Sequence, residues 1–147
     1  MVKRMSSLEV KPLKEYFVKI PYGSDLLATL KETTSKLNIR TGAFNVIGAL
    51  QRAVLHYYLQ DKKFFHENRF DEPLEIVSGM GNIARKGNET IVHCHLVLAN
   101  KEGHCFGGHL AEGSKVFAGE LYLRSFEPEL RRKYDEVTGL NLFDIQQ

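Results

Sequence analysis

The chain carries 147 residues, 43% of them apolar, enough for one domain with its own hydrophobic core. Its 20 Lys and Arg against 18 Asp and Glu give a formal charge of +2, without the dense basic stripe that marks a nucleic-acid binder. No segment approaches the ~20 apolar residues of a membrane-spanning helix, and no signal-peptide-like apolar run opens the chain, so no membrane association and a cytoplasmic location are expected.

Residues 1–13 are polar and read as a flexible N-terminal segment. Lys14 to Ile20 reads as the first strand, and Pro21 to Asp25 as a turn with Ser24 or Asp25 as helix N-cap. Leu27, Leu30, Thr34 and Leu37 then recur at helical spacing, and Asn38 closes the helix. Gly42 to Leu50 is an apolar strand interrupted by Gly48, which predicts a bulge or a close backbone approach. Ala53 to Leu59 is rich in aromatics and turns through residues 60–63 into Phe64-Phe65-His66. Leu74 to Ile83, Thr90 to Ala99 and Lys115 to Arg124 complete the predicted strands. Glu127-Pro128 opens a C-terminal tail over 128–147 that is expected to be helical to about Val137. With no repeat or linker, the expectation is one α+β domain over residues 14–127, a mixed, largely antiparallel sheet with one principal flanking helix.

Four of the six histidines fall between His93 and His109. Residues i and i+2 of a strand share a face, so His93 and His95 present two imidazoles about 6–7 Å apart along the chain. A turn at Asn100-Lys101-Glu102-Gly103, centred near Glu102, brings His109 back opposite His95. A slip of one residue would turn His109 away. Each histidine alone reads as a hydrogen-bonded strand residue. Two side by side on an apolar face are costly unless something uses them, and a divalent ion would, with zinc as the natural candidate. His93, His95 and His109 are therefore the candidate metal ligands, leaving a coordination position open, as in catalytic zinc sites.

The neighbours read more plainly. Cys94 shares a face with Val92, Leu96 and Leu98 and is a core thiol; Cys105 falls opposite Ala99, too far from Cys94 for a disulfide. His104 reads as surface, and His56 and His66 as structural or surface residues. Glu112 and Glu120 are weak catalytic candidates, as proton carriers near a metal or as ordinary surface and ion-pair carboxylates. Gly107-Gly108 and Gly113 supply tight backbone passage rather than a phosphate loop, since no Gly-Lys-Ser/Thr follows. A cupin would carry a glutamate where this chain has Ala99 and Asn100.

Gly107-Gly108-His109-Leu110-Ala111-Glu112-Gly113, preceded by His93-Cys94-His95, closely resembles the PPC (plants and prokaryotes conserved) domain, which in plants accompanies AT-hooks. The resemblance extends to Gly23-Ser24-Asp25-Leu26-Leu27, to Phe44 through Leu50, to Phe70-Asp71-Glu72-Pro73-Leu74-Glu75-Ile76 and to Ser78-Gly79-Met80-Gly81-Asn82-Ile83. It implies a mixed sheet with one principal helix, a homotrimer, and clustering of His93, His95 and His109 able to hold a metal in stand-alone prokaryotic members. The chain departs from the plant pattern by lacking the Arg-Gly-Arg-Pro core of an AT-hook, which enters the A·T minor groove.

Three functions follow as expectations. The first is a homotrimeric interaction module holding zinc through the three histidines and recognising a protein partner, with aromatic surplus over Ala53–Phe70 offered for subunit packing. The second is a zinc-dependent hydrolase or lyase using Glu112 or Glu120. The third is a DNA-associated regulator using Lys3, Arg4 and Arg131 to Lys133, whose binding would fall steeply with salt.

Overall fold

The computed structural model describes residues 5–145. Its elements in order are β1 (Lys11–Ile20), α1 (Leu26–Lys36), β2 (Gly42–Leu59), β3 (Phe64–Phe70), β4 (Leu74–Lys86), β5 (Glu89–Ala99), β6 (Cys105–Leu110), β7 (Lys115–Glu127), β8 (Arg132–Asp135) and β9 (Leu140–Phe143). The α+β class and the single principal helix stand as expected. Every ladder among the described residues is antiparallel, and the one parallel pairing is an isolated bridge from Arg85 to Arg131.

β2 organises the sheet. The sequence suggested two strands here, but Gln51 and Arg52 carry the extended backbone straight through for 18 residues. One edge of β2 pairs with β7 (Gly42 opposite Ser125 to Arg52 opposite Lys115) and then with β6 (Leu55 opposite Leu110, His56 opposite His109). The other pairs with β4 (Gly42 opposite Ile83 to Leu50 opposite Leu74) and then with β3 (Ala53 opposite Phe70). β5 joins β4 to β6, so the circuit β2–β4–β5–β6 closes on itself. Gly48 is where β2 bulges against β4: its φ is 139°, and a Cβ there would lie 2.2 Å from the Ala118 carbonyl oxygen.

Alternation decides which face is wet. On β5, Val92, Cys94, Leu96 and Leu98 are buried, while His95 and Val97 are exposed on the opposite face. The inward set joins Val46, Leu50, Leu55, Leu110 and Leu121, and α1 adds Leu26 and Leu30 one turn apart. At ~25 cal/mol per Å² of buried apolar surface, such side chains each contribute about 1.5–3 kcal/mol before chain entropy is subtracted. Asp25 caps α1: one carboxylate oxygen accepts from Ala28 N at 2.9 Å and the other from Gly113 N at 2.7 Å, tying the helix start to the segment after β6. Asn38 ends the helix with φ 52°.

Two expectations fail at the chain ends. Residues 11–13, expected to be flexible, already belong to β1, which begins at Lys11 opposite Glu127; residues 1–4 lie outside the described residues. Among the described residues the tail, expected to be helical to about Val137, forms no helix. Residues 132–143 make a β8–β9 hairpin, because Asp135 accepts from Thr138 N and Oγ1 at 2.7 Å each and Gly139, at φ 75°, allows the tight return.

Candidate metal centre

β5 and β6 carry the histidines. The hairpin between them is fixed by Asn100, whose side-chain oxygen accepts from Glu102 N at 3.2 Å and His104 N at 2.9 Å. The register is the expected one, with His95 opposite His109 and Ala99 opposite Cys105. Gly107 lets the strands close, since a Cβ there would meet the Leu96 carbonyl oxygen at 2.4 Å. Cys94 is buried and Cys105 exposed, and both are free thiols, as expected.

The three imidazoles converge on the outer face. One ring nitrogen from each of His93, His95 and His109 lies within 4.8 Å of the others, and His93 Nε2 is 3.0 Å from His95 Nε2. Ring centroids of His109 stand 4.9 Å from His93 and 5.4 Å from His95. A tetrahedral ion with 2.0–2.1 Å bonds needs donors roughly 3.4 Å apart, so small side-chain rotations suffice and the set fits a divalent metal. His95 is exposed and His93 and His109 half-buried, so the cluster meets solvent rather than lying sealed behind Ile91 and Val97. Burial, then the charges of His95 and Arg132, lowers the His93 pKa to about 4. His109 is likewise pushed to about 4, first by burial and then by His93, His95, His56 and Arg132. Both rings are neutral at pH 7, the protonation state that binds metal.

The weak candidates separate. Glu112 borders a recess of about 330 Å³ with His109, His56 and Glu67, but its exposed carboxylate accepts from Lys31 Nζ at 2.9 Å, which holds its pKa below the usual range. Glu120 lies on β7, opposite Ile47 and Lys19 and three strands from β5, so it is not brought to the cluster.

Four side chains that the sequence does not assign to the metal site belong to its surroundings, although His56 reads there as structural or surface and Arg132 as part of a basic run. His56 sits opposite His109 across the β2–β6 seam, with rings parallel within 8° and centroids 6.4 Å apart. Glu67, on β3, is 3.5 Å from His56 Nε2. Arg132, from the terminal hairpin, places NH2 at 2.6 Å from Asn82 Oδ1 and 3.5 Å from His93 Nδ1. Asn82, opposite His93 on β4, is the fourth. Glu67 and Asn82 arrive through the β2–β3 and β4–β5 hairpins, whereas His56 meets His109 and Arg132 meets His93 only through elements distant in sequence, which no local pattern signals.

A small antiparallel sheet closed around a long central strand, with three histidines converging on its outer face, defines a compact domain that presents a metal-competent site to solvent. The sequence matches the Plants and Prokaryotes Conserved (PCC) domain over residues 7–127, and the chain belongs to that family. A plant- and prokaryote-conserved (PPC) protein of Pyrococcus horikoshii has the same fold, with 32% identity and a TM-score of 0.90 over 97% of this chain and 99% of that one. The metal-containing protein AF0104 of Archaeoglobus fulgidus is 35% identical, with a TM-score of 0.88 over 95% of this chain and 99% of that one. A bifunctional protein GlmU of a Synechococcus strain is 30% identical over 137 residues, 91% of this chain; the chain spans only about a fifth (20%) of that protein. Among the described residues no helix is long and apolar enough to cross a membrane.

Proposed function

We propose that this domain is a homotrimeric interaction module that holds one divalent ion per chain, zinc by choice of donors, through His93, His95 and His109. The observation that carries the reading is the convergence of three imidazole nitrogens within 4.8 Å on a solvent-facing surface. The metal content of the Archaeoglobus relative supports it. The trimer is supported by what the outer face exposes: Phe17, Ile47, Met80 and Phe117 are all more than half exposed, at 88%, 53%, 62% and 58%. They fall on neighbouring strands and border a groove of about 760 Å³ at Phe17, Ile47 and Phe117, which a monomer has no reason to leave wet. The test is elemental analysis of untagged protein beside H93A and H109A, with sedimentation equilibrium on the same samples. One zinc-like ion per chain, lost in both variants, is expected, at three times the monomer mass. A metal-free wild type after incubation with zinc, or a monomer, refutes the corresponding half.

A second reading is a zinc-dependent hydrolase or lyase. It is favoured by the open face and by the recess in which the His56–Glu67 pair borders His109. Zinc would supply Lewis acidity there. His56 and Glu67, rather than Glu112 or Glu120, are then the groups placed to move a proton. Ester hydrolysis that disappears in H56A while zinc is retained would establish it.

The DNA-associated reading draws less from the structure. Arg131 is ion-paired with Glu129 and Arg132 is turned toward Asn82 and His93, which leaves Lys133 of that basic run; Lys3 and Arg4 lie outside the described residues.

A further inference from the structure

We infer that the three-histidine site takes up its metal together with an oxyanion, the phosphate or carboxylate group of a small ligand, and that Arg132 anchors that anion. The inference rests on the metal-binding reading and adds to it the ligand class.

Charge is the first argument. Three neutral imidazoles bring none, a divalent ion brings +2, and Arg132 adds +1 in contact distance of His93. Among the described residues no carboxylate is paired with it. The guanidinium is held by neutral groups alone: NH1 donates to the Asn141 carbonyl at 2.8 Å, NH2 donates to Asn82 Oδ1 at 2.6 Å, and its carbon sits 4.7 Å from the centre of the Phe143 ring. The two carboxylates bordering the neighbouring recess are committed elsewhere, Glu67 to Arg69 and His56 and Glu112 to Lys31. A half-buried site of that charge strongly favours a bound anion over the bare cation.

Donors without acceptors are the second. A metal-ligating histidine ordinarily hands its other N–H to a carboxylate or carbonyl, which orients the ring and raises its basicity. His93 has a guanidinium in that place. With Nε2 committed to an ion, Nδ1 carries the proton, and two donors then face each other 3.5 Å apart. Arg132 Nε is also buried with no acceptor among the described residues. Uncompensated buried donors are costly, and an oxyanion supplies several acceptors at once. Arg132 comes from a hairpin that packs β8 on β4, so its placement is built into the fold rather than left to a mobile surface chain.

Cobalt(II) is the probe, because its visible absorption reports changes at the site without any assay of turnover. Cobalt-loaded wild type is titrated with inorganic phosphate and separately with acetate, and cobalt affinity is measured with and without each anion. A saturable spectral change is expected with at least one of them, together with a cobalt affinity about ten- to a hundredfold tighter in its presence. R132M is expected to bind cobalt alone at least as tightly as wild type, because the uncompensated charge beside His93 is gone, and to lose that coupling; R132K, keeping charge without the fork, retains a part of it. Coupling undiminished in R132M, or no anion effect in cobalt-loaded wild type, overturns the inference while leaving the metal site standing. Failure of wild type to take cobalt removes the metal reading and this one with it. Should R132M not fold, judged by circular dichroism, the decision falls to R132K and to N82A, which unclamps the guanidinium: wild-type coupling in both overturns the role of Arg132.

Discussion

Acidifying the chelator-treated protein should destabilise it through His93 and His109, above the range in which the carboxylates with lowered pKa act. His93 and His109 have folded pKa values of about 4 against an ordinary 6.5, so between those limits the unfolded chain binds more protons than the native one. A depressed histidine contributes stability that is complete above about pH 6.5 and is lost as pH falls toward 4. From pH 7 to pH 5, a displacement of that size is worth about 1.8 kcal/mol per ring by linkage. Contact with solvent screens both rings, so we discount by half, which leaves roughly 2 kcal/mol for the pair. With a urea slope of about 2 kcal/mol per molar, the unfolding midpoint moves down by about 1 M. The assay is urea unfolding by far-UV circular dichroism at pH 7, 6 and 5, in wild type and in the H93Q/H109Q double variant. Glu15, Glu67 and Glu112 have lowered pKa values and act only below this window. A wild-type midpoint that does not move, or the same slope in the double variant, would refute the reasoning.

Further outcomes are expected from single residues. Gly48→Val should cost about 3 kcal/mol or more, since a Cβ meets the Ala118 carbonyl at 2.2 Å on a backbone with φ 139°; the urea midpoint measures it. Leu98→Ala, at a position with no exposure, should cost about 2–5 kcal/mol in the same measurement. Asp25→Ala removes both the helix cap and the acceptor for Gly113 N, a loss of about 1–3 kcal/mol seen as a lower thermal midpoint. Phe17→Ser with Phe117→Ser should convert the sedimenting species to monomer while leaving zinc stoichiometry unchanged.

What the sequence made legible was what short-range rules govern. Period-two alternation placed Cys94 inward and His93 and His95 outward, and the Asn100 turn set the register that puts His109 opposite His95. Helical spacing and capping chemistry located α1, with Asp25 rather than Ser24 as the cap. The misses share one cause. His56 reaches His109 only because β2 passes β6, and Arg132 reaches His93 only because the tail folds back on β4. Neither pairing has a local signature. The tail itself misled because Glu127-Pro128 followed by charged residues looks like a helix start, while the Asp135–Thr138 turn that decides the matter is a side-chain effect.

The double-edged pairing of β2 has a bearing on how the chain must be made. Its edge toward β3 and β4 can be satisfied once the ribosome has released Lys86, but the opposite edge waits for β6 and β7, whose last paired residue, Ser125, lies 83 positions after its partner Gly42. Until then a long strand carrying Val46, Leu50 and Leu55 stands with a row of unpaired amides and carbonyls, the kind of template that recruits other chains. Folding dominated by such distant pairings is slow. Truncations within β7 should therefore fail as aggregates rather than as smaller folded domains, and yield on expression will depend on completing the chain faster than neighbouring nascent copies can meet.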